Sequence, residues 1–584
     1  MAQDAIGSRR RGIGRRSFLR VAPAALASGF VAPSVVGQER AQTEPVPVAA
    51  IDGAETLAGL DFTSAEQTMM QEGLGRNLAS YEELRAFEVP LDTEPAITFR
   101  PHLSGQAPVG DATPNAPMPL SAIDPIGVPD SLDELAFLPV RALASLIQRR
   151  AVTSTALTQM YLDRLKRHGD TLKCVVTLTE SLAFEQARQA DAEISAGRYR
   201  GPLHGIPWGA KDLLATKRIR TTWGAKPYEY QVIDVDATVV ERLRDAGAVL
   251  VAKLSMGALA QGGVWFGGST RNPWNLERSS SGSSAGPGAA TAAGLVGFSI
   301  GTETRGSIIS PSAACGVTGL RPTYGRVSRY GAMALSWTMD KLGPMCRSVE
   351  DCALVFNAIY GPDGRDGTVV SAPFEWTPEP ALEGLRIGYL REEFEPAPDD
   401  PSDDLTDEQR AERTAQRVAL AAALEALRGL GMRLEPISMP DMPSNAIGFV
   451  LSAEAATAFD DLTRSHGIDQ LTSQSQRSWP NSFRTARFIP AVEYIRAQRV
   501  RRLLMQRMEA LMGDYDLFVS PSRSASLGVT NLTGHPAIAL KAGFANGMPV
   551  SLMFTGRLYD EVTILRVALA FEQATPWHTQ HPTL

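Results

Sequence analysis

Two serine- and glycine-rich stretches, 279–288 and 301–307, stand apart from the rest of the chain. Glycines at this density let backbone amides approach a substrate closely, and the serines among them are either turn formers or nucleophiles. One such stretch alone indicates a plain loop. Because the two are joined by an Ala/Gly-rich segment that must pack tightly in a core, the pair does not look like a flexible linker and indicates a candidate catalytic region.

One interpretation of the first stretch is the nucleophile elbow of α/β-hydrolases. Residues 282–286 fit the pattern G-x-S-x-G, with Ser284 at the nucleophile position. The elbow requires a buried strand immediately before it, so that the serine is exposed on a tight strand-to-helix turn. Residues 271–280 are polar and are interrupted by Pro273, which disfavours this interpretation.

Several blocks, in order and with compatible spacing, are similar to motifs of the amidase signature family of serine hydrolases, and the resemblance runs from about residue 131 to the end. The blocks are 204–212 (H-G-I-P-x-x-x-K-D), 281–287, 301–309, 316–326, 340–344, 531–536 and 556–557. The resemblance implies a single large α/β domain, with a central mixed twisted sheet covered by helices on both faces. It also implies an amidase that hydrolyses an amide carbon–nitrogen bond of a small molecule.

The family implies a Ser–Ser–Lys arrangement at matching positions. Ser307 is the nucleophile, Ser283 relays its proton from an unusual cis peptide after Gly282, and Lys211 is the final base. A lysine can serve as a base only if burial lowers its pKa, and Lys211 has apolar neighbours in sequence. The alternative for Lys211, viewed without the other blocks, is an ordinary surface ion pair with Asp212.

The same resemblance implies an oxyanion and substrate-binding site in the second loop. Backbone amides from Thr304, Arg305 and Gly306 to the nucleophile point at the developing negative charge, where each donor contributes about 3 kcal/mol. Ser284 of the first loop is placed with this group. Arg305 replaces a glycine usual in the family, and Glu303 replaces an aspartate; Arg305 can crowd or charge the acyl-binding site, which affects the substrate class more than the activity.

Hydrophobic periodicity predicts the elements around these loops. Two helices split near 151–153, then a further helix and the short buried strand 248–253, indicate a layered α/β domain with partly parallel strands. Asp236 is expected to cap the helix before that strand. The final segment 537–574 is expected to form strand, turn, strand and helix.

Three regions are expected along the chain: a signal peptide (1–42), an N-terminal extension (43–130) and the amidase signature domain (131–584). In the extension, a helix is expected over 63–87 with Ser64 as its cap, followed by a Pro/Gly-rich wrap. The extension covers either the substrate mouth or a dimer surface, and the sequence leaves both open along with the oligomeric state.

The first 42 residues carry seven arginines and two acids, and Arg15-Arg16 precedes a weakly apolar stretch. This resembles a twin-arginine (Tat) signal, handled by the export machinery that moves folded proteins across a bacterial inner membrane. The apolar stretch is interrupted by prolines and is shorter than the ~20 residues of a membrane span. We therefore expect a periplasmic or secreted protein; the cleavage site stays open.

Composition limits the remaining functions. With 44% hydrophobic and 21% charged residues the chain is an ordinary globular protein, and its net charge of −7 argues against a nucleic-acid partner. The four cysteines lack zinc-like spacing; buried free thiols are favoured over pairing of Cys346 with Cys352. The histidines form no metal-binding pair and no phosphate loop is present, so no metal or cofactor is expected.

Three other functions are weighed against an exported amidase. The amidase subunit of a tRNA-dependent amidotransferase shares this core but works in the cytosol with partner subunits, which the Tat-like signal and the acidic charge oppose. A catalytically inactive scaffold is opposed by the retained Lys211, Ser283 and Ser307. Ester or carbamate hydrolysis stays open, because the same acyl chemistry serves all three bonds.

Overall fold

An 11-stranded mixed sheet, in the order β1-β3-β2-β8-β10-β9-β14-β15-β13-β11-β12, lies at the centre of the unit Glu88–Leu584. Its strands are β1 (Val175–Leu178), β2 (Pro207–Lys211), β3 (Val249–Leu254), β8 (Phe298–Glu303), β9 (Thr318–Arg321), β10 (Lys341–Cys346), β11 (Ile387–Leu390), β12 (Leu434–Ile437), β13 (Leu517–Pro521), β14 (Ala537–Ala545) and β15 (Met548–Gly556). Two small hairpins pair β4 (Val264–Trp265) with β5 (Gly268–Ser269) and β6 (Arg271–Asn272) with β7 (Asn275–Ser279). The predicted α/β fold with a central mixed sheet is confirmed.

The computed structural model describes residues 45–86, 97–103, 106–124, 126–379, 382–395 and 405–584. The helices of the larger unit are α3 (Val140–Gln148), α4 (Ser154–Leu172), α5 (Glu180–Ser195), α6 (Thr238–Asp245), α7 (Ala285–Ala292), α8 (Ile309–Cys315), α9 (Val349–Ile359), α10 (Arg391–Phe394), α11 (Asp407–Gly429), α12 (Phe449–Ala458), α13 (Asp460–Arg464), α14 (Trp479–Ala486), α15 (Ala491–Asp514), α16 (Ser526–Thr533) and α17 (Glu561–Ala574). No helix in these residues is both long and apolar enough to cross a membrane.

The smaller unit, Met1–Phe87, contains α1 (Val48–Ala58) and α2 (Ser64–Ala86) among its described residues. Thr63 and Glu66 cap α2 reciprocally: the Glu66 amide donates to Thr63 Oγ1, and the Thr63 amide donates to Glu66 Oε2. This is a capping box, so the cap is Thr63 and the prediction of Ser64 is wrong by one residue. The predicted signal peptide, 1–42, lies outside the described residues.

The parallel part of the sheet is buried on both faces. β2 pairs in parallel with β3 on one side and with β8 on the other. Along β3, Leu250 packs into one apolar cluster while Val249 and Val251 pack into another, as the period of two requires. Because all three strands run the same way, the carboxyl ends of β2 and β8 meet at one edge of the sheet, where ligands of α/β folds commonly bind.

The Pro/Gly-rich wrap of the N-terminal extension has no regular structure over 97–103 and 106–124. Its backbone is held by the main domain near α9: the Asn115 amide donates to Asn357 O at 2.7 Å, and the Ser121 amide donates to Glu350 Oε1 at 2.6 Å. The division between the two compact units therefore falls inside the stretch 43–130, and the wrap belongs with the catalytic unit.

A second predicted helix cap, Asp236, is also incorrect. α6 begins at Thr238, with Ala237 in the cap position and no capping side chain. Asp236 instead accepts a hydrogen bond from the Lys217 amide at 2.7 Å and one from Arg244 Nη1 at 2.5 Å. The Asp236 carboxylate therefore binds Lys217 and Arg244 and does not cap the amides at the start of α6.

Candidate active site

Lys211 is the last residue of β2 and is completely buried. Its Nζ lies 2.8 Å from Ser283 Oγ, 3.0 Å from Ser284 Oγ and 2.8 Å from Thr302 Oγ1. It also lies 3.2 Å from the carbonyl oxygen of Thr302, on β8. The lysine therefore joins the two serine-rich loops to the carboxyl edge of the sheet.

Burial lowers the pKa of Lys211 to about 7, although the Asp340 and Glu303 carboxylates act in the opposite direction. None of the groups bonded to Nζ is charged, so nothing in contact with it compensates for desolvation of the ammonium. The neutral amine can accept the Ser283 proton. This geometry suits a general base at neutral pH.

Asp212 does not pair with Lys211. The Asp212 carboxylate lies 3.2 Å from Lys253 Nζ on β3, and both side chains are completely buried. Its other oxygen accepts a hydrogen bond from the Thr222 amide at 2.9 Å. The alternative interpretation of Lys211, a surface ion pair with Asp212, is therefore wrong.

The first serine loop approaches other backbone so closely that Gly282 is required. A Cβ at this position would lie 1.9 Å from the carbonyl oxygen of Gly262. The peptide bond Gly282–Ser283 is cis, as the family resemblance implies. Ser283 follows with its hydroxyl directed at Lys211.

Ser284 is fully buried and its hydroxyl is held by backbone. Ser284 Oγ donates to Thr302 O and accepts from the Thr302 amide, each at 3.1 Å. Although α7 begins at Ala285, the preceding strand β7 is exposed along its whole length. A nucleophile elbow needs a buried strand and an exposed serine, whereas here the strand is exposed and the serine is buried. Ser284 instead accepts a hydrogen bond from Lys211 Nζ.

The second loop carries Ser307 between β8 and α8. Ser307 is half-buried, and its hydroxyl makes no hydrogen bond within the described part of the chain. Its carbonyl oxygen accepts from the Ser284 amide at 3.2 Å, which ties the two loops together. The Ser283 and Ser307 hydroxyls are not hydrogen-bonded to each other; such contacts often form only once substrate is bound.

The amides beside Ser307 are available to a ligand. Among the described residues, the backbone N–H groups of Arg305, Gly306 and Ser307 donate to no other group. Gly306 has a φ of 124°, which favours glycine, and lets the turn present successive amides. Thr304 is buried, and its hydroxyl donates to Asp340 Oδ1 at 2.6 Å, which fixes the start of the turn.

Glu303, the residue that departs from the family's aspartate, anchors this turn. Its Oε2 accepts from the amides of Ile308 and Ile309 at 2.8 and 2.9 Å, and its Oε1 accepts from Arg321 Nη1 at 2.9 Å. Burial acts to raise the pKa of Glu303, but Arg321 and the amide donors outweigh it and hold that pKa below its usual range. The longer side chain therefore fixes the beginning of α8, directly after Ser307.

Arg305 differs from its neighbours because its side chain is exposed. The guanidinium lies between two glycines: a Cβ at Gly448 would be 2.9 Å from Arg305 Nη1, and a Cβ at Gly528 would be 3.9 Å from Nε. It has no hydrogen bond or ion pair within the described residues.

A small, partly open cavity adjoins the site. Thr302 and Thr304 form part of its wall, together with apolar and aromatic side chains that include Met333, Leu335 and Trp337. Thr302 also contacts Lys211, so this wall residue connects the cavity to the buried lysine. Ser307 is not part of the wall.

Sequence reasoning assigned no role to Thr302 or to the carboxylate of Asp340, although both lie inside matched blocks. Asp340 Oδ2 accepts from the amides of Leu335 and Ser336 at 2.8 and 2.9 Å, while Oδ1 holds Thr304. Their position inside the matched blocks is the sequence feature that could have indicated a role in the site. Their contacts with Lys211 and Thr304 depend on the position of β8 between β2 and β10 in the sheet.

All four cysteines are free and buried, which confirms the prediction of free thiols. Cys315 lies at the end of α8, and burial raises its thiol pKa far above the usual range. It is therefore a packing residue. Among the described residues, no group of three His, Cys, Asp or Glu side chains is placed to hold a metal ion.

Comparison with known proteins agrees with this geometry. The profile of the Amidase family matches residues 156–565. A glutamyl-tRNA(Gln) amidotransferase subunit of Moorella thermoacetica is 34% identical over 498 residues, covering 77% of this chain and 99% of that protein. The corresponding protein from a Roseiflexus species is 34% identical over 484 residues, covering 75% and 96% of the two chains.

Among solved structures, native peptide amidase from Stenotrophomonas maltophilia superposes with a TM-score of 0.66 and 31% identity, covering 76% of this chain and 98% of that one. The matches extend over nearly the whole of each relative and include the β2, β8 and α8 segments that carry the site. The chain therefore belongs to the Amidase family, enzymes that act on amide carbon–nitrogen bonds.

Proposed function

We propose that this protein is a stand-alone serine amidase that cleaves a small-molecule amide through an acyl-enzyme, with Ser307 as nucleophile, Ser283 as proton relay and Lys211 as base. The observation that carries the proposal is the buried Lys211 Nζ, with a pKa of about 7, lying 2.8 Å from Ser283 Oγ. A serine hydroxyl needs such a base before it can attack a carbonyl carbon.

In the first step Ser307 Oγ bonds to the amide carbon, its proton moves to Ser283, and the Ser283 proton moves to Lys211. The oxyanion is held by the free amides of Arg305 and Gly306. As the carbon–nitrogen bond breaks, the amine nitrogen takes the proton back through the same relay. Water then attacks the acyl-enzyme ester and gives its proton to Lys211 through the same relay. As the bond between the acyl carbon and Ser307 Oγ breaks, Ser307 Oγ takes that proton back and the carboxylic acid is released.

The test is covalent labelling with a fluorophosphonate probe, followed by peptide mapping. We expect a single adduct on Ser307, its loss in Ser307→Ala, and its retention in Ser284→Ala. Because Ser284 is a neighbouring serine with a buried hydroxyl, this variant is the matched control. An adduct on Ser284 in the wild-type protein would overturn the assignment.

A second candidate function is supported by the names of the relatives, which are amidotransferase components acting on glutamyl-tRNA(Gln). These names agree better with one component of a complex than with a stand-alone enzyme. The peptide amidase similarity and the acidic charge favour the stand-alone enzyme. Hydrolysis of simple amides by the isolated chain would support it; amide transfer to glutamyl-tRNA(Gln), seen only with added partner proteins, would support the second. Parallel ester and carbamate substrates define the bond preference.

We further propose that the protein is exported in its folded state to the periplasm. The proposal rests on Arg15-Arg16 and the weakly apolar stretch that follows them; removing residues 1–42 takes the net charge from −7 to −12, as 50 basic against 62 acidic residues remain. Replacing both arginines with lysine is expected to hold the protein in the cytoplasm, whereas the same change at Arg9 and Arg10 should not. Equal periplasmic yield from the two double variants would contradict export by this route.

A further inference from the structure

Arg305, like Glu303, departs from the family pattern within the loop that carries Ser307. It is exposed and precedes Ser307 by two residues. Because consecutive Cα atoms are about 3.8 Å apart, the two Cα atoms are separated by at most about 7.6 Å. The guanidinium is therefore close enough to Ser307 to meet a second functional group of a substrate whose carbonyl carbon lies at Ser307 Oγ.

The guanidinium has no partner among the residues that the structure describes. The described residues contain no ion pair, hydrogen bond or ring contact to Arg305, whereas Thr304, one residue earlier, is fixed by Asp340. Glu393 lies near the start of α16, but its Oε1 accepts from Ser524 Oγ and the Ala525 amide, each at 3.1 Å. Within the described part of the chain, the positive charge of Arg305 is therefore not compensated by a carboxylate in contact.

Space for this side chain is kept by glycines on two different elements. Gly448 precedes the first residue of α12, and Gly528 lies in α16. Any side chain at Gly448 would meet Arg305 Nη1 at about 2.9 Å and would force the guanidinium to move. The guanidinium occupies space that these glycines leave, and its planar fork of N–H donors matches a carboxylate through two parallel hydrogen bonds.

We propose that Arg305 binds a carboxylate of the substrate, and that the enzyme is selective for amides that carry an anionic group a few bonds from the scissile carbonyl. The proposal rests on the proposed function in one respect: it takes Ser307 as the position of the reacting carbonyl. The carboxylate belongs either to the acyl part or to the amine part of the substrate. A carboxylate in either part presents the same chemistry to Arg305, and pairs of substrates with and without the carboxylate distinguish the two positions.

The experiment compares kcat/KM within two substrate pairs of matched shape. For the acyl part the pair is glutaramate and pentanamide; for the amine part it is N-acetylglycine and N-ethylacetamide. We expect the wild-type enzyme to prefer the anionic member of one pair, and Arg305→Gln to lower that preference by about 10- to 100-fold, the range for a hydrogen bond to a charged group. Arg305→Lys, which keeps the charge without the fork, should lie between them.

The matched control is Arg188→Gln, an exposed arginine on α5 that likewise has no ion pair among the described residues. This variant should keep the wild-type preference. Added salt should reduce the preference of the wild-type enzyme, since exposed charges are screened. Equal kcat/KM for both members of both pairs, or a preference that Arg305→Gln leaves unchanged, would overturn the proposal.

A binding measurement separates this inference from the proposed catalytic role. The dissociation constants of glutaramate and N-acetylglycine are measured by calorimetry on Ser307→Ala, with Arg305 present and with Arg305→Gln. Weaker binding by about 10-fold or more in the double variant supports the carboxylate site, even if the fluorophosphonate probe never labels Ser307. Unchanged dissociation constants would contradict it, even in a chain whose Ser307 is the proven nucleophile.

Discussion

The depressed pKa of Lys211 predicts the pH dependence of the reaction. With a pKa of about 7, the neutral base is about one-tenth of the enzyme at pH 6, one-half at pH 7 and nine-tenths at pH 8. With the ordinary value of 10.5, about one molecule in 3,000 would hold the neutral base at pH 7. We therefore expect kcat/KM to rise about tenfold per pH unit below pH 7 and to level off above it.

The assay is a profile of kcat/KM from pH 5 to pH 10, using a neutral amide whose own groups do not titrate. Lys211→Ala should lose about 10²- to 10⁴-fold in rate, the usual contribution of a general base, together with the rising limb. Lys211→Arg should not restore activity, because arginine stays protonated throughout this range. A midpoint near pH 10, or a Lys211→Ala enzyme with the wild-type profile, would refute the reasoning.

Two other buried groups titrate near the same pH and serve as controls. Burial lowers the pKa of Lys541 to about 8 and raises that of Glu572 to about 8. Both line a separate cavity closed partly by the C-terminal residues. Lys541→Met and Glu572→Gln should leave the midpoint of the activity profile near pH 7, whereas a moved midpoint in either variant would assign the titration elsewhere.

The same contacts predict two stability effects. The folded-state pKa of Lys211 is below its unfolded value, so its buried charge destabilises the folded protein fully below about pH 7, and this destabilisation disappears as the pH rises toward 10.5. The Tm of Lys211→Met minus that of the wild type should therefore fall from pH 6 to pH 10. A constant difference would contradict burial as the cause. Glu303→Gln leaves Arg321 buried and unpaired, and urea unfolding should show a loss of about 3–5 kcal/mol. Glu303→Asp keeps the charge and should lose less; equal losses would show that the ion pair contributes nothing.

Local patterns predicted the elements well where the pattern alone decides the structure. The helix break near 151–153 appears between α3 and α4, and the segment 537–574 forms β14, β15 and α17 as expected. Alternative partners decide the rest: Asp236 has the residue type of a cap, but the Lys217 amide and Arg244 are within reach in the folded chain and bind it instead. A local sequence pattern cannot show which of these partners Asp236 will bind in the folded chain.

The site shows the same limit. Lys211, Ser283 and Ser307 are recognisable because each lies in a motif block, whereas the contact of Thr302 with Lys211 depends on β8 lying beside β2. These strands are separated by β3 and two hairpins in sequence, and their pairing is a property of the whole sheet. The sequence therefore predicted the candidate reacting groups, which stay a prediction, but not the residues that contact them in the fold.

The low pKa of Lys211 is produced by the arrangement of charges around β2. Lys211 and Lys253 are both completely buried at the same edge of the sheet, yet only Lys253 has a carboxylate in contact, 3.2 Å away. That carboxylate belongs to Asp212, the neighbour of Lys211 in sequence, and it is held on Lys253 because successive residues of an extended chain point to opposite sides. The two acids near Lys211 are occupied elsewhere, Glu303 by Arg321 and Asp340 by Thr304. Lys211 is left with hydroxyl and carbonyl oxygens, which can share a proton with a neutral amine but cannot balance an ammonium charge. A substitution that brought a carboxylate into contact with Nζ would leave Lys211, Ser283 and Ser307 in place and still raise the pKa of Lys211, so that the neutral amine would be lost at neutral pH.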